Sequence, residues 1–143
     1  MKFSTKKSNI IFYEKTGCAG NSRQKKVLKS FGIRFEVKSL LETNWDMVTL
    51  EPFFKNIDKT KIVNLSAPKI KNNDIDISFF TKNELIKMMC DDPILIKRPL
   101  IQIDQHYICG FDIKMINDIL NTSIEENIQI PTCLSSDKCT TAS

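Results

Sequence analysis

Residues 9–40 constrain the fold of this chain more than any other stretch. Residues 9–13 are short, apolar and β-rich, and they read as a strand entering a core. The run stops at the loop Glu14-Lys15-Thr16-Gly17, which leads into Cys18-Ala19-Gly20. From Asn21 the pattern turns helical. Asn21 is placed to cap, Val27, Leu28 and Phe31 share one face, and Gly32 ends the helix. Residues 33–40 then alternate well enough for a second strand. Strand, helix and strand at this spacing form a βαβ unit, so the two strands are expected to run parallel with a right-handed crossover.

The middle of the chain reads as a helical insertion. Asn44 is placed to cap a helix that buries Trp45, Val48, Leu50, Phe53 and Phe54. A further short helix is expected over 58–65, followed by a lysine- and asparagine-rich polar loop over 67–76. Thr81 and Glu84 have the spacing of a capping box, with Leu85, Ile86, Met88 and Met89 as the packing stripe behind it. Residues 100–103 and 107–109 read as strands of an antiparallel hairpin joined by Asp104-Gln105-His106. Asp112 is placed to cap a last helix packed through Ile113, Ile116, Ile119 and Leu120. The fold class is therefore α/β: a sandwich with a four-stranded mixed sheet flanked by helices. Residues 1–8 form an N-terminal extension, 9–121 the domain, and 122–143 a flexible tail that carries cysteines.

With 143 residues the chain suits one domain with a real core. No apolar run approaches the ~18 residues that span a bilayer, so no membrane segment is expected. The apolar run after the N-terminal lysines is too short for a signal peptide, which leaves the cytoplasm as the expected compartment. In a reducing compartment the five cysteines read as free thiols rather than a disulfide framework. There is no Cys-x-x-Cys and only one histidine, so no metal site and no bound cofactor are expected. The net charge of +4 is mild, and no basic strand is interleaved with aromatics, so no nucleic-acid partner is indicated. A monomer is the simplest expectation.

Cys18 is the chief candidate for chemistry. It lies between a strand and a helix N-terminus, with Gly17 and Gly20 leaving the backbone open around it. Unpaired N–H groups and the helix dipole favour a thiolate there, and Arg23, Lys25 and Lys26 add positive charge. The thiolate is the nucleophilic form of cysteine. The alternative is a buried loop cysteine acting as a small hydrophobe, but its Gly, Ala, Asn and Ser neighbours favour the reactive reading. Cys90 on an apolar helix and Cys109 in a strand read as core. Met88 and Met89 read as core filler, His106 as a solvated turn residue, and Lys69–Lys71 as a solvated loop.

A second candidate is Pro93-Ile94-Leu95-Ile96-Lys97-Arg98-Pro99-Leu100. Proline at the head of a strand that ought to be internal removes a ladder donor. A cis bond before Pro99 accounts for it and sets a tight bend near the thiol loop. Arg98 then points a guanidinium toward the same pocket, suited to an oxyanion or carboxylate. A plain surface arginine beside a turn proline fits the pattern equally well.

Tyr13-Glu14-Lys15-Thr16-Gly17-Cys18 before a basic helix, with Asp92-Pro93-Ile94-Leu95-Ile96-Lys97-Arg98-Pro99-Leu100 downstream, resembles the arsenate reductase family of thioredoxin-fold proteins. Within that family the chain is most similar to the nitrogenase-associated proteins of nitrogen-fixing bacteria. Arg23-Gln24-Lys25, Trp45 leading to Pro52-Phe53-Phe54, Gly110-Phe111-Asp112 and a cysteine-bearing tail carry that part of the likeness. The resemblance implies a thioredoxin-like fold, a thiolate at Cys18 and an oxyanion held by arginines beside a cis-proline at Pro99. Arg98, Pro99, Arg23, Ser22 and Asn21 are then the residues expected around an anion or thiol partner. The family's reductases place arginines where this chain has Ser22, Ser66 and Gly110, and Arg98 alone is retained. Each lost charge-assisted hydrogen bond is worth ~1.5–3 kcal/mol, so a weak grip on arsenate is expected. Redox regulators of the superfamily use Cys-x-x-Cys, and Asn21 at the second position excludes a disulfide within this loop.

Cys133 and Cys139 are read as resolving thiols for Cys18, as a docking or metal-contacting tag, or as idle tail residues. Two functions follow. One is a thiol oxidoreductase in which Cys18 forms mixed disulfides with glutathione, as co-substrate, or with a protein such as glutaredoxin. The other is a non-catalytic module of the same fold that associates with nitrogenase or its assembly or protection factors.

Overall fold

The structure is a computed structural model and describes residues 8–125. Strand β1 (Ile10–Glu14) is followed by helix α1 (Ala19–Ser30) and strand β2 (Glu36–Ser39), and β1 and β2 pair in parallel. The helical middle comprises α2 (Met47–Leu50), α3 (Pro68–Lys71) and α4 (Lys82–Asp91), with 3-10 turns at Glu51–Phe54, Lys59–Lys61, Ile77–Phe79 and Pro93–Leu95. Strands β3 (Leu100–Ile103) and β4 (His106–Cys109) form the hairpin, and α5 (Ile113–Leu120) follows. The four strands lie in the order β2-β1-β3-β4, with β3 antiparallel to both of its neighbours.

Alternation along β1 divides the core in two. Ile10 and Phe12 face one side, where they pack with Leu28 of α1, Ile101, Ile103, Ile108 and Ile116 of α5. Tyr13 faces the other side with Trp45, Leu50, Phe53, Phe54, Leu85, Ile86 and Met89. The second side is aromatic: Phe53 meets Tyr13, Trp45 and Tyr107 edge-on, with ring centroids 5.0–5.9 Å apart. The indole N–H of Trp45 donates to the Leu40 carbonyl at 2.9 Å, so its one polar atom is satisfied inside the core.

The Thr81–Glu84 capping box forms as expected at the head of α4, with each side chain bonded to the other's main-chain N–H. Asp112 caps α5 through the Met115 N–H. Elsewhere the boundaries differ from expectation. The cap of α2 is Asp46 rather than Asn44, because Asp46 and Thr49 close a capping box of their own. That phase turns Met47 and Leu50 inward, one turn apart, and leaves Val48 81% exposed, contrary to the sequence reading. Only one 3-10 turn forms within 58–65, and the loop expected over 67–76 holds the turn of helix α3, started by Pro68. Packing also continues past Asn121. The Asn117 side chain holds both the N–H and the carbonyl of Ile124, which is buried against α5. No described helix is long and apolar enough to cross a membrane.

Candidate functional site

Register brings the sequence candidates to one end of the sheet. Leu100 is opposite Tyr13 on one side and Cys109 on the other. The chain leaving β1, the chain leading into β3 and the chain leaving β4 therefore share that end. Residues 15–18, 97–99 and 110 all lie there.

The helix that follows β1 begins earlier than the capping pattern indicates. Its N-cap is Cys18, not Asn21, and the Cys18 sulfur accepts the Asn21 main-chain N–H at 3.4 Å. The turn that puts it there is built by Gly17, at φ +86°, and by the Cys18 N–H bonding to the Lys15 carbonyl at 3.0 Å. Ser22 N–H then bonds to the Cys18 carbonyl at 3.1 Å, the first bond of the helix. Cysteine is not a favoured capping residue, so capping preference alone points to Asn21. The sulfur sits at the positive end of a helix with no acidic residue in its first turn. Cys18 is buried and disulfide-bonded in this structure, contrary to the free thiol expected from the sequence, whereas Cys90 and Cys109 are free thiols as expected. Cys133 and Cys139 lie outside the described residues.

Around Cys18 the expected partners separate into two groups. Ser22 and Arg23 are exposed on α1. Asn21 is buried, and its carboxamide is engaged within the protein: Oδ1 accepts the Lys15 N–H and Nδ2 donates to Gln24 Oε1, each at 3.0 Å. Lys25 is ion-paired with Glu14 at the end of β1, so the charge assigned to it is largely neutralised locally. That pair spans strand and helix and has no signature in sequence spacing.

The Arg98–Pro99 peptide is cis, as the sequence pattern suggested. The segment before it is held against residues 62–64. Lys97 N–H bonds to the Ile62 carbonyl at 2.9 Å, Asn64 N–H to the Leu95 carbonyl at 2.8 Å, and Val63 bridges Ile96. Gly110 N–H bonds to the Pro99 carbonyl at 2.8 Å. Arg98 is half-buried; its Nε and Nη2 are shut away from solvent without a hydrogen bond, while the side chain as a whole has a partner. Ser66 is buried, with its N–H on Asn64 Oδ1. Gly110 has φ +87°, and a Cβ there would lie 3.3 Å from Lys97 Cε and 3.7 Å from its Nζ. The ammonium of Lys97 thus occupies the space above Gly110, a cation that the sequence pattern did not single out.

The remaining cysteines behave as core. Burial pushes the Cys109 thiol up to about 12, against the opposing pull of Lys97 and Lys82. Burial, then Asp46 and Asp91, raise that of Cys90. His106 is exposed at the start of β4, Met89 is buried with Met88 beside it, and Lys69 pairs with Asp92 at 3.3 Å. Among the described residues no group of three or more His, Cys, Asp or Glu is gathered closely enough to hold a metal.

Residues 16–119 match the ArsC family model. The chain is 31% identical over 126 residues to an uncharacterised 15.7 kDa protein in the draG 3′ region of Rhodospirillum rubrum, covering 88% of each. It is 20% identical over 123 residues to the global transcriptional regulator Spx 2 of Bacillus anthracis, covering 85% of this chain and 94% of that one. Among solved structures, the arsenate reductase of Vibrio cholerae superposes with a TM-score of 0.63 at 18% identity, covering 81% of this chain and 98% of the other. An ArsC family related protein of Bacteroides fragilis superposes at 0.68 and 19% identity, over 78% and 97%. The mixed four-stranded sheet with flanking helices is the thioredoxin-like fold of these neighbours, as the sequence resemblance implied.

Proposed function

The chain belongs to the ArsC family, and from that premise we propose that it is a thiol oxidoreductase in which Cys18 alone forms mixed disulfides with glutathione or a cytoplasmic protein such as glutaredoxin. The observation that carries this reading is the position of Cys18. It caps α1, takes a main-chain N–H on its sulfur, and shares its end of the sheet with Arg98 and the cis Pro99. In the reduced protein the Cys18 thiolate attacks one sulfur of glutathione disulfide. The new S–S bond forms as the old one breaks, and the departing glutathione thiolate takes a proton from water. A second thiol then displaces the adduct. We assign that resolving role to Cys133 or Cys139, the tail cysteines that the sequence offers for it. Arg98 and Pro99 border the partner, with Arg23 and Ser22 at its exposed rim.

Incubating reduced protein with glutathione disulfide tests this by mass. One glutathione is expected on Cys18 when Cys133 and Cys139 are both replaced by Ser, and none when Cys18→Ser is added. A protein lacking both tail cysteines that stays unmodified sinks the proposal. Arsenate reduction coupled to glutathione and glutaredoxin is expected to be poor, because Ser22, Ser66 and Gly110 supply no guanidinium.

The same missing guanidinium groups favour a second reading, a non-catalytic module that binds nitrogenase or its assembly or protection factors. The resemblance to nitrogenase-associated proteins supports it, together with the relative named for the draG 3′ region. Here both wild type and Cys18→Ser are expected to retain nitrogenase components in a pull-down; retention by neither removes this reading.

A further inference from the structure

We infer that Asn21 is the positioning residue of Cys18, holding the loop over 15–21 so that a main-chain N–H stays aimed at the sulfur, and is not itself a ligand for the anion or thiol partner. This deepens the proposed function and rests on Cys18 being its reactive thiol.

The loop is tied by three hydrogen bonds. Cys18 N–H reaches back to the Lys15 carbonyl at 3.0 Å, Lys15 N–H reaches forward to Asn21 Oδ1 at 3.0 Å, and Asn21 N–H meets the Cys18 sulfur at 3.4 Å. Lys15 therefore uses its carbonyl on Cys18 and its N–H on Asn21, and the seven residues from Lys15 to Asn21 close into a ring. The orientation of the carboxamide is fixed by chemistry. A main-chain N–H can only donate, so Oδ1 must face Lys15, and Nδ2 is left to face Gln24 Oε1, one turn along α1. Asn21 is 1% exposed, and Gln24 is buried beside it. A side chain engaged on both ends and closed off from water is poorly placed to receive a ligand.

Removing the carboxamide leaves the Lys15 N–H as a buried donor without its acceptor, a state the loop relieves by opening. The Asn21 N–H survives any substitution. What is lost is its alignment with the sulfur, which at 3.4 Å depends on the loop staying closed. A sulfur that loses an aligned donor is a poorer thiolate. Gln24 acts one step further out, steadying the carboxamide from the helix side.

The test is the pH profile of iodoacetamide alkylation at Cys18 in the reduced full-length chain, read by peptide mass, for wild type, Asn21→Ala and Gln24→Ala. A residue needed only for stability does not move this profile in a protein that remains folded, so circular dichroism and the melting temperature are recorded alongside. Wild type is expected to show a midpoint below that of an ordinary cysteine. Asn21→Ala is expected to raise it by about one pH unit, roughly tenfold less thiolate at a given pH below the midpoint, and Gln24→Ala by less in the same direction. An ordinary midpoint in wild type overturns the reactive-thiol reading and this inference with it. A low wild-type midpoint that a folded Asn21→Ala leaves in place overturns the positioning role alone. Should Asn21→Ala fail to fold, an unmoved midpoint in Gln24→Ala overturns it instead.

Discussion

Cys18 and Cys109 stand at the same end of the sheet, on either side of the chain leading into β3, yet the protein treats them oppositely. Cys18 caps a helix, and its sulfur takes a main-chain N–H in a loop tied by hydrogen bonds. Cys109 ends a strand among aromatic side chains. Its nearest polar partner is the Lys61 carbonyl, 3.9 Å away, and burial pushes its thiol up to about 12. Cys18 is buried and Cys109 half-buried, so exclusion from solvent is not what distinguishes Cys18 as the candidate thiol. What differs is the local hydrogen bonding: a main-chain N–H is aimed at the Cys18 sulfur, whereas Cys109 packs against the apolar cluster and meets a carbonyl oxygen.

Alkylation of the reduced protein at neutral pH probes that contrast most directly. Cys18 is expected to react more than roughly a thousandfold faster than Cys109, whose thiolate fraction at a value of about 12 is on the order of one in a hundred thousand. Comparable rates at the two sites break the comparison.

The apolar corner also depends on packing in a way the hydrogen-bonded corner does not. Phe53 is buried and meets Tyr13, Trp45 and Tyr107 edge-on, so Phe53→Ala is expected to cost about 3–5 kcal/mol in chemical denaturation. A cost below about 1 kcal/mol shows that this corner repacks freely.

The raised Cys109 thiol gives the same corner a pH signature. The folded state holds the proton more tightly than the unfolded chain. The stabilisation is therefore fully present below the ordinary thiol value of 9.0 and is lost as pH climbs toward about 12. Across that window wild type is expected to lose on the order of 1 kcal/mol per pH unit more than Cys109→Ala, with the Tyr13 contribution common to both. Parallel stability curves contradict the burial of the thiol.

Gly110→Ala gives the smallest effect of the set. A side chain at φ +87° is strained, and its Cβ meets Lys97 Cε at 3.3 Å. A loss of about 1–2 kcal/mol is expected. If the thermal midpoint is unchanged, Lys97 gives way without cost and its place above residue 110 is loosely held.

Much of this was legible in the sequence because it is local. The Thr81–Glu84 box, the Asp112 cap and the hairpin are each set by residues within a few positions of one another, and the strands and helix of the βαβ unit each carry their own local pattern. The capping residue of α1 was not legible, because capping preference ranks Asn above Cys and only the Gly17 turn and the Lys15 carbonyl bring the sulfur to the helix end. Val48 was misplaced for a similar reason: a four-residue helix has too little periodicity to fix its own phase, and the Asp46–Thr49 box sets it instead.

The sequence by itself determined that a cysteine would lie between a strand and a helix, and that an Arg-Pro pair would precede an internal strand, since both follow from local pattern and backbone chemistry. Only the tertiary structure decided what surrounds them. Strand register carried Arg98 and Pro99 to the Cys18 end, the Glu14 carboxylate neutralised Lys25, Lys97 filled the space over Gly110, and Asn21 became part of the loop's frame. The physical reason is range. Hydrogen-bonding and capping preferences act over one helical turn, whereas the charge and polarity around a sulfur depend on groups brought together from across the chain by packing.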